Sequence, residues 1–188
     1  MKVNANTLRP GNVVDRDGKL WVVEKYDIMT PGKGASVIQV VMRDIQSGNK
    51  DNVRYRTQET VERVRLEQED YQFLFADEDH YTFMHLDNYE QMPVSKDIIG
   101  YPAVWLQEGM KVTIETHEGT PLGVKLPDQV TVEIIESEPV VKGQTATTSY
   151  KPAIADNGEK VMVPPHIDVG TRVVVKTEDG SYAERAKD

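Results

Sequence analysis

Short runs of β-branched and aromatic residues alternate along the chain with turns that contain glycine. Tight hairpins require positive φ angles, which glycine-containing segments readily adopt. Such segments occur at Asp17-Gly18, Ser47-Gly48-Asn49, Glu118-Gly119 and Asp179-Gly180. Helical periodicity is confined to one turn, predicted at residues 95–100. The sequence therefore predicts an all-β protein whose strands pair mostly with their neighbours along the chain. Strands are predicted at residues 20–26, 37–44, 72–76, 81–86, 112–116, 130–134 and 173–175.

An internal repeat indicates how the chain is divided. The segment from Gly109 to Gly119 aligns with the segment from Gly170 to Gly180, with valine, threonine and glycine at matching positions. Two copies of a strand-turn-strand unit that begin 61 residues apart imply modules of about 60 residues. We therefore expect three domains, at residues 1–64, 65–128 and 129–188. Small closed barrels suit this size, including the five-stranded OB type that commonly binds nucleic acid.

The charge of the chain is unevenly distributed. The formal net charge is −9, which taken alone argues against a nucleic-acid partner. Residues 1–64 are nevertheless net basic, whereas residues 65–128 carry most of the excess of aspartate and glutamate. This distribution suggests that one end of the molecule approaches a polyanion while the remainder resists nonspecific binding.

Several classes of chemistry are excluded or disfavoured by residue content. The chain has no cysteine, which excludes disulfides, thiolate metal sites and cysteine nucleophiles. Its four histidines are scattered, no nucleotide-binding or hydrolase motif is present, and we expect neither a metal site nor a cofactor. No apolar run is long enough to span a bilayer, so a cytoplasmic protein without membrane attachment is expected.

One loop does stand out as a candidate site. Pro31, Gly32, Lys33 and Gly34 lie between two predicted strands. The segment differs from a phosphate-binding P-loop, because Gly34 rather than Ser or Thr follows the lysine and a strand rather than a helix comes next. A hairpin tip is the better interpretation, with Lys33 as its one long side chain. A lysine in such a position binds phosphate oxygens or accepts covalent modification, although an ordinary solvated lysine has the same pattern.

Two further segments carry a family resemblance. Residues 151–170 read KPAIADNGEKVMVPPHIDVG, and Tyr182 to Arg185 read YAER. Together with the Pro31 to Gly34 loop, they show that the chain resembles the bacterial translation elongation factor P family over its whole length. The resemblance implies a KOW-like, SH3-like N-terminal barrel followed by two OB-fold barrels, in an L-shaped arrangement similar to transfer RNA.

The same resemblance implies a function. Proteins of this family bind the ribosome between the peptidyl and exit sites, contact both subunits and peptidyl-tRNA, and stimulate peptide bond formation at consecutive prolines. The chemistry then belongs to the ribosome, so an enzyme is not expected. Lys33 would be extended by a lysine-modifying enzyme, for example with a β-lysyl group. A monomer is expected, because an L-shaped body that enters the ribosome leaves little room for a second subunit.

The resemblance also implies roles for C-terminal residues. Tyr182 and Arg185 match positions that face RNA, by stacking and by phosphate contact. Gly143, Gln144 and Thr145 match a loop, usually Gly-Asp-Thr, that approaches the exit-site codon. Gln144 departs from that pattern, because a glutamine both donates and accepts hydrogen bonds whereas an aspartate only accepts them.

Other functions fit the sequence less well. A general single-strand RNA-binding protein would need a basic groove with exposed aromatic residues, which the acidic residues 65–128 do not offer. A small-molecule enzyme would need a pocket with converging polar groups, which the sequence does not reveal. A paralogue of the factor would lack the Pro31 to Gly34 loop.

Overall fold

The computed structural model describes residues 1–138 and 149–187. One short helix, α1 (Lys96–Ile99), and two 3₁₀ helices at Ala5–Thr7 and Tyr101–Trp105 accompany the strands. The strands are β1 (Lys2–Asn4), β2 (Val13–Arg16), β3 (Lys19–Met29), β4 (Val37–Asp44), β5 (Lys50–Arg56), β6 (Thr60–Val64), β7 (Glu67–Ala76), β8 (His80–His85), β9 (Gln91–Ser95), β10 (Lys111–His117), β11 (Thr120–Lys125), β12 (Gln129–Ser137), β13 (Lys151–Ala155), β14 (Lys160–Val163), β15 (Arg172–Lys176) and β16 (Tyr182–Arg185).

The all-β prediction is confirmed, and each predicted strand overlaps an observed one. The predicted helical turn is α1, with Ser95 at its N-cap and Gly100 at its C-cap, but the Ser95 side chain makes no capping hydrogen bond. The two 3₁₀ helices were not predicted, because single 3₁₀ turns have too few residues to show a periodicity. Both halves of the sequence repeat form hairpins, β10 with β11 and β15 with β16.

The chain divides into two compact units. The first unit comprises residues 1–68 and 115–123 and contains a six-stranded sheet in the order β1-β6-β2-β3-β4-β5. Strand β4 shows why this sheet forms, because every second residue from Ile38 to Asp44 is buried while the intervening ones are partly exposed. Ile38, Val40 and Met42 thereby reach the core, where they pack with Leu8 and Val23.

The second unit comprises residues 69–114 and 124–188. It contains the sheet in the order β14-β13-β12-β15-β16 and most of the sheet in the order β11-β10-β7-β8-β9, of which residues 115–123 are grouped with the first unit. Trp105, which is 1% exposed, lies in the core cluster of the second sheet, although it precedes that sheet in the chain. Met110 and Leu126 pack against the clusters of both sheets. The two sheets of this unit therefore share part of one core.

Three hairpin turns have the same six-residue hydrogen-bond pattern, over residues 44–49, 85–90 and 176–181. In each turn the amide of the first residue donates to the carbonyl of the sixth, at 2.8 to 2.9 Å, and the amide of the fifth donates back to the carbonyl of the first, at 2.8 to 3.0 Å. The fifth residue has a left-handed φ in all three: 76° at Gly48, 62° at Tyr89 and 73° at Gly180. Two of the turns thus use glycine where the third uses tyrosine.

No helix within the described residues is both long and apolar enough to cross a membrane.

Candidate functional site at the tip of the β3–β4 hairpin

The loop that carries Lys33 joins the ends of two regularly paired strands. The β3–β4 ladder continues to the pair Met29 with Val37, so the connection is limited to residues 30–36. At its base the Ser36 hydroxyl donates to the Thr30 hydroxyl at 3.3 Å, and the Thr57 amide donates to the Ser36 carbonyl at 3.1 Å. The base is therefore held from two sides, while residues 31–35 are all exposed.

Lys33 is the one long side chain at the exposed end of this loop. Its neighbours Gly32 and Gly34 have no side chains, and Pro31 has a ring that fixes its own φ angle. The structure thus places the predicted residue at a hairpin tip, as expected. An ammonium group on a flexible stem at such a tip is accessible to a phosphate, to a narrow cavity or to a modifying enzyme.

The surface below the loop is basic. On the outer face of the sheet, Glu24 forms ion pairs with Arg43 at 3.0 Å and with Lys50 at 3.1 Å, which lowers the pKa of Glu24 although burial opposes the shift. Arg54 and Arg56 on β5 lie closer to the loop and are exposed. Arg54 also lines a shallow depression with Met29, Thr30, Pro31 and Val37.

The two glycines of the loop are expected to respond differently to alanine. Gly34 has a φ of 128°, whereas a Cβ at Gly32 would meet no atom within 4 Å and Gly32 has no left-handed φ. Gly34→Ala should therefore lower the free energy of unfolding by about 1 kcal/mol, and Gly32→Ala should leave it nearly unchanged. Thermal unfolding of both variants measures this. Equal losses would contradict the assigned backbone conformation.

A second candidate surface lies on β16, where a β-bulge orients the two predicted RNA-facing residues. On a regular strand, residues three apart point to opposite faces of the sheet. Here the register shifts within β16, so that Tyr182 pairs with Val175 and Arg185 pairs with Val173. Because Val173 and Val175 share the buried face of the sheet, the bulge brings Tyr182 and Arg185 onto that side, where Tyr182 packs against the core and Arg185 stays exposed at the end of the strand. Burial raises the pKa of Tyr182, and neighbouring Arg185 opposes this increase.

Tyr150 joins this surface and was missed by the sequence analysis. Its ring meets the Tyr182 ring edge-on, with centroids 6.1 Å apart and planes at 89°, and it is 50% exposed. No pattern signal marks it, because the residue is distant from β16 in the sequence. Gly143, Gln144 and Thr145, predicted to approach a codon, lie outside the described residues. No group of three or more potential metal-ligating side chains occurs within residues 1–138 and 149–187.

Family comparisons agree with this architecture. Residues 4–61 match the elongation factor P KOW-like domain, residues 66–124 the elongation factor P OB domain, and residues 130–185 the elongation factor P C-terminal domain. The chain belongs to the elongation factor P family. This membership confirms the resemblance drawn from the sequence and makes the chain a translation elongation factor, with a KOW-like domain at the N-terminus followed by OB domains.

Individual relatives align with the chain from end to end. Elongation factor P of Rhodospirillum centenum is 54% identical over 188 residues, and that of Methylorubrum populi is 57% identical over 188 residues; each alignment covers 100% of both chains. Among solved structures, a eukaryotic translation initiation factor 5A from Methanococcus jannaschii aligns with 68% of this chain and 92% of its own, at 23% identity and a TM-score of 0.44.

Proposed function

We propose that this elongation factor binds the ribosome between the peptidyl and exit sites and relieves stalling at consecutive prolines by positioning peptidyl-tRNA through Lys33. The observation that carries the proposal is the exposed Lys33 at the tip of a hairpin whose base is held by Thr30, Ser36 and Thr57. A hairpin that is fixed at its base and carries one projecting ammonium group is suited to insertion of its tip toward the acceptor end of a tRNA. The exposed Arg54 and Arg56 supply further positive charge for a phosphate backbone.

Positioning of peptidyl-tRNA alone can accelerate peptide bond formation enough to relieve a stall. Holding two reacting groups in their attack geometry supplies up to ~7 to 11 kcal/mol in well-oriented intramolecular systems, and a fraction of that would relieve a stall. Proline benefits most, because its ring fixes φ and limits the geometries from which it can react. The factor itself then needs no catalytic residue and no cofactor, and peptide bond formation stays with the ribosome.

The proposed partners follow from the same surfaces. Peptidyl-tRNA and both ribosomal subunits contact the factor, with Lys33 on the tRNA side and Tyr182 and Arg185 facing RNA. A lysine-modifying enzyme extends the exposed Lys33 amine, for example with a β-lysyl group. The factor acts in the cytoplasm as a monomer.

The test is synthesis of a reporter with a run of prolines in a reconstituted translation system that lacks any such factor. We expect added protein to restore full-length product, and more strongly after Lys33 is modified. A reporter in which alanines replace the prolines should not respond. No rescue by either form of the protein would favour a general RNA-binding role, which a filter-binding assay with single-stranded RNA would then measure.

Arg185 provides a test of the second surface. Arg185→Ala should raise the Kd for ribosomes and reduce the slope of log Kd against log salt concentration by about one, as expected for one lost phosphate contact. Lys19→Ala is the matched control, since Lys19 is an exposed cation on β3, in a different sheet. A slope unchanged by Arg185→Ala, or changed equally by both variants, would contradict an RNA contact at Arg185.

A further inference from the structure

The second half of β3 forms a free edge of its sheet. Strand β2 pairs with β3 as far as Val22. Val23 then exchanges backbone hydrogen bonds with Gly11 and Asn12, both at 2.9 Å. On its other side, β3 stays paired with β4 to Met29. Within the part of the chain that the structure describes, the residues of β3 after Val23 therefore have a neighbouring strand on one side only.

The register of β4 shows which backbone groups of this edge point outward. In an antiparallel sheet, successive residues direct their N–H and C=O groups alternately to the two neighbouring strands. The Asp44 amide donates to the Asn49 carbonyl at 2.9 Å, so Asp44 and every second residue before it bond toward β5. The intervening residues bond toward β3. Their partners there are Lys25, Asp27 and Met29. The backbone groups of Tyr26 and Ile28 consequently point away from β4, toward the open side.

Two apolar side chains at this edge are left uncovered. Tyr26 pairs with Val40, and Ile28 pairs with Ile38. Both partners are fully buried, so the side chains of Tyr26 and Ile28 lie on the core-facing side of the sheet. They are nevertheless 41% and 43% exposed, and neither belongs to the core cluster that contains their partners. The edge thus combines unpaired backbone groups with apolar side chains on one face.

A cation is held beside these side chains. The Arg9 Cζ lies 4.4 Å from the centroid of the Tyr26 ring. Its Nη1 donates to the carbonyls of Asn6 at 2.9 Å and Leu8 at 2.7 Å, while the residue as a whole stays exposed. Residues 1–64 are also net basic. The free edge of β3 therefore attracts an anionic partner.

We propose that the free edge of β3 at Tyr26 and Ile28 accepts an extended, acidic segment of a partner protein as an added antiparallel strand. An extended peptide presents donors and acceptors at every second residue, which matches the spacing of the outward-pointing groups. Its apolar side chains would cover Tyr26 and Ile28, and a carboxylate would pair with Arg9. The antiparallel orientation is the more stable one per residue.

Other occupants fit the free edge less well. The phosphates of RNA suit Arg9, but they cannot donate hydrogen bonds to the outward-pointing carbonyls or bury Ile28. A second copy of this chain would bring its own Arg9 to the same face, because Arg9 lies on the Tyr26 ring in each copy, and the two guanidinium groups would repel. The proposal does not depend on Lys33, which lies beyond the end of the strand.

The first experiment tests the main-chain contacts, using the full-length chain and a fluorescein-labelled heptapeptide of alternating valine and glutamate. In the proposed pairing the valine amides point to β3, whereas the glutamate amides point to solvent. N-methylation of two valine amides should therefore weaken binding about tenfold, measured by fluorescence anisotropy. N-methylation of two glutamate amides should change binding by about twofold at most. Equal binding of the two methylated peptides, or no binding of the unmethylated peptide at about 1 mM, would overturn the proposal.

Substitutions by proline test the same contacts from the side of the protein. Ile28→Pro removes an N–H that points outward, where an edge strand tolerates proline. It should weaken peptide binding about tenfold and leave the melting temperature nearly unchanged. Ile28→Val keeps the amide and should bind as the wild type does. Asp27→Pro removes an amide that bonds to β4 and should lower the melting temperature. An equal decrease for Ile28→Pro would mean that the Ile28 amide does not face the open side, and the proposal would fail.

The last experiment tests the charge of the partner. Arg9→Gln should weaken binding of the valine–glutamate peptide about threefold and leave binding of a valine–threonine peptide of the same length unchanged. Equal losses for both peptides would contradict an acidic partner. Displacement of the peptide by a nine-nucleotide single-stranded RNA would assign the edge to RNA instead. A dimer of the free chain that Ile28→Pro abolishes, detected by sedimentation velocity, would assign the edge to a second copy and overturn the proposal as well.

Discussion

Replacing Lys33 with alanine is expected to remove the acceleration of synthesis through consecutive prolines while the chain remains folded. The side chain is exposed at a loop tip, so its loss should change the free energy of unfolding by no more than about 0.5 kcal/mol. Loss of a positioning contact that contributes about 2.7 kcal/mol slows the step by about a hundredfold. The rate of full-length reporter synthesis in the reconstituted system measures this directly.

Two variants make this prediction specific. Lys25→Ala removes another exposed lysine from β3 of the same sheet and should retain full activity. Lys33→Arg keeps a positive charge but has no primary amine, so it should retain the activity of the unmodified protein and lose any gain from modification. Activity retained by Lys33→Ala would remove Lys33 from the mechanism, and equal losses in Lys25→Ala would point to a general charge effect.

Gly180→Ala is expected to destabilise the second unit by about 3 kcal/mol. Gly180 combines a φ of 73° with close neighbours, because an added Cβ would lie 3.0 Å from Trp105 Cζ2 and closer still to the Tyr101 hydroxyl. Tyr101 is 45% exposed and can move aside, whereas Trp105 is 1% exposed and packed in the core. The strain of the backbone therefore adds to the cost of displacing a buried indole.

Gly48→Ala is the matched control for the Gly180 prediction. Gly48 occupies the same position in a turn with the same hydrogen bonds, with a φ of 76°, but a Cβ there would meet nothing within 4 Å. Gly48→Ala should therefore lower the free energy of unfolding only through backbone strain, by about 1–2 kcal/mol. Amide hydrogen exchange at Val173 and Val175, and at Val40 and Met42, reports the local stability of each unit. Equal losses in the two variants would show that Trp105 yields to the added methyl group.

Strand prediction succeeded where burial alternates cleanly and a turn residue marks each end. Strand β4 has the predicted limits of Val37 and Asp44, because its alternation is strict and glycine-containing segments flank it. Lys33 could likewise be placed at a hairpin tip, since proline and glycine determine the loop locally. Information of this kind is contained in a few consecutive residues.

The features that sequence analysis missed depend on contacts between distant residues. The bulge that brings Tyr182 and Arg185 to one face is a property of the β15–β16 pairing, and Tyr150 joins them only through the fold. Tyr89 was overlooked because propensity gives no reason to place a tyrosine at a left-handed position. The division into domains at residues 1–64, 65–128 and 129–188 stays a prediction.

The burial of Trp105 among the residues of the C-terminal sheet limits which fragments of the chain can fold on their own. Residues 129–188 expressed alone would lack this indole, and Val130, Val173 and their neighbours would expose apolar surface to water. Such a fragment should bind hydrophobic dyes and associate with itself. A fragment that begins near residue 66 would keep the indole together with all five strands of the preceding sheet and should yield the better-behaved protein, so the repeat length in the sequence is a poor guide to where a fragment for crystallisation or NMR should start.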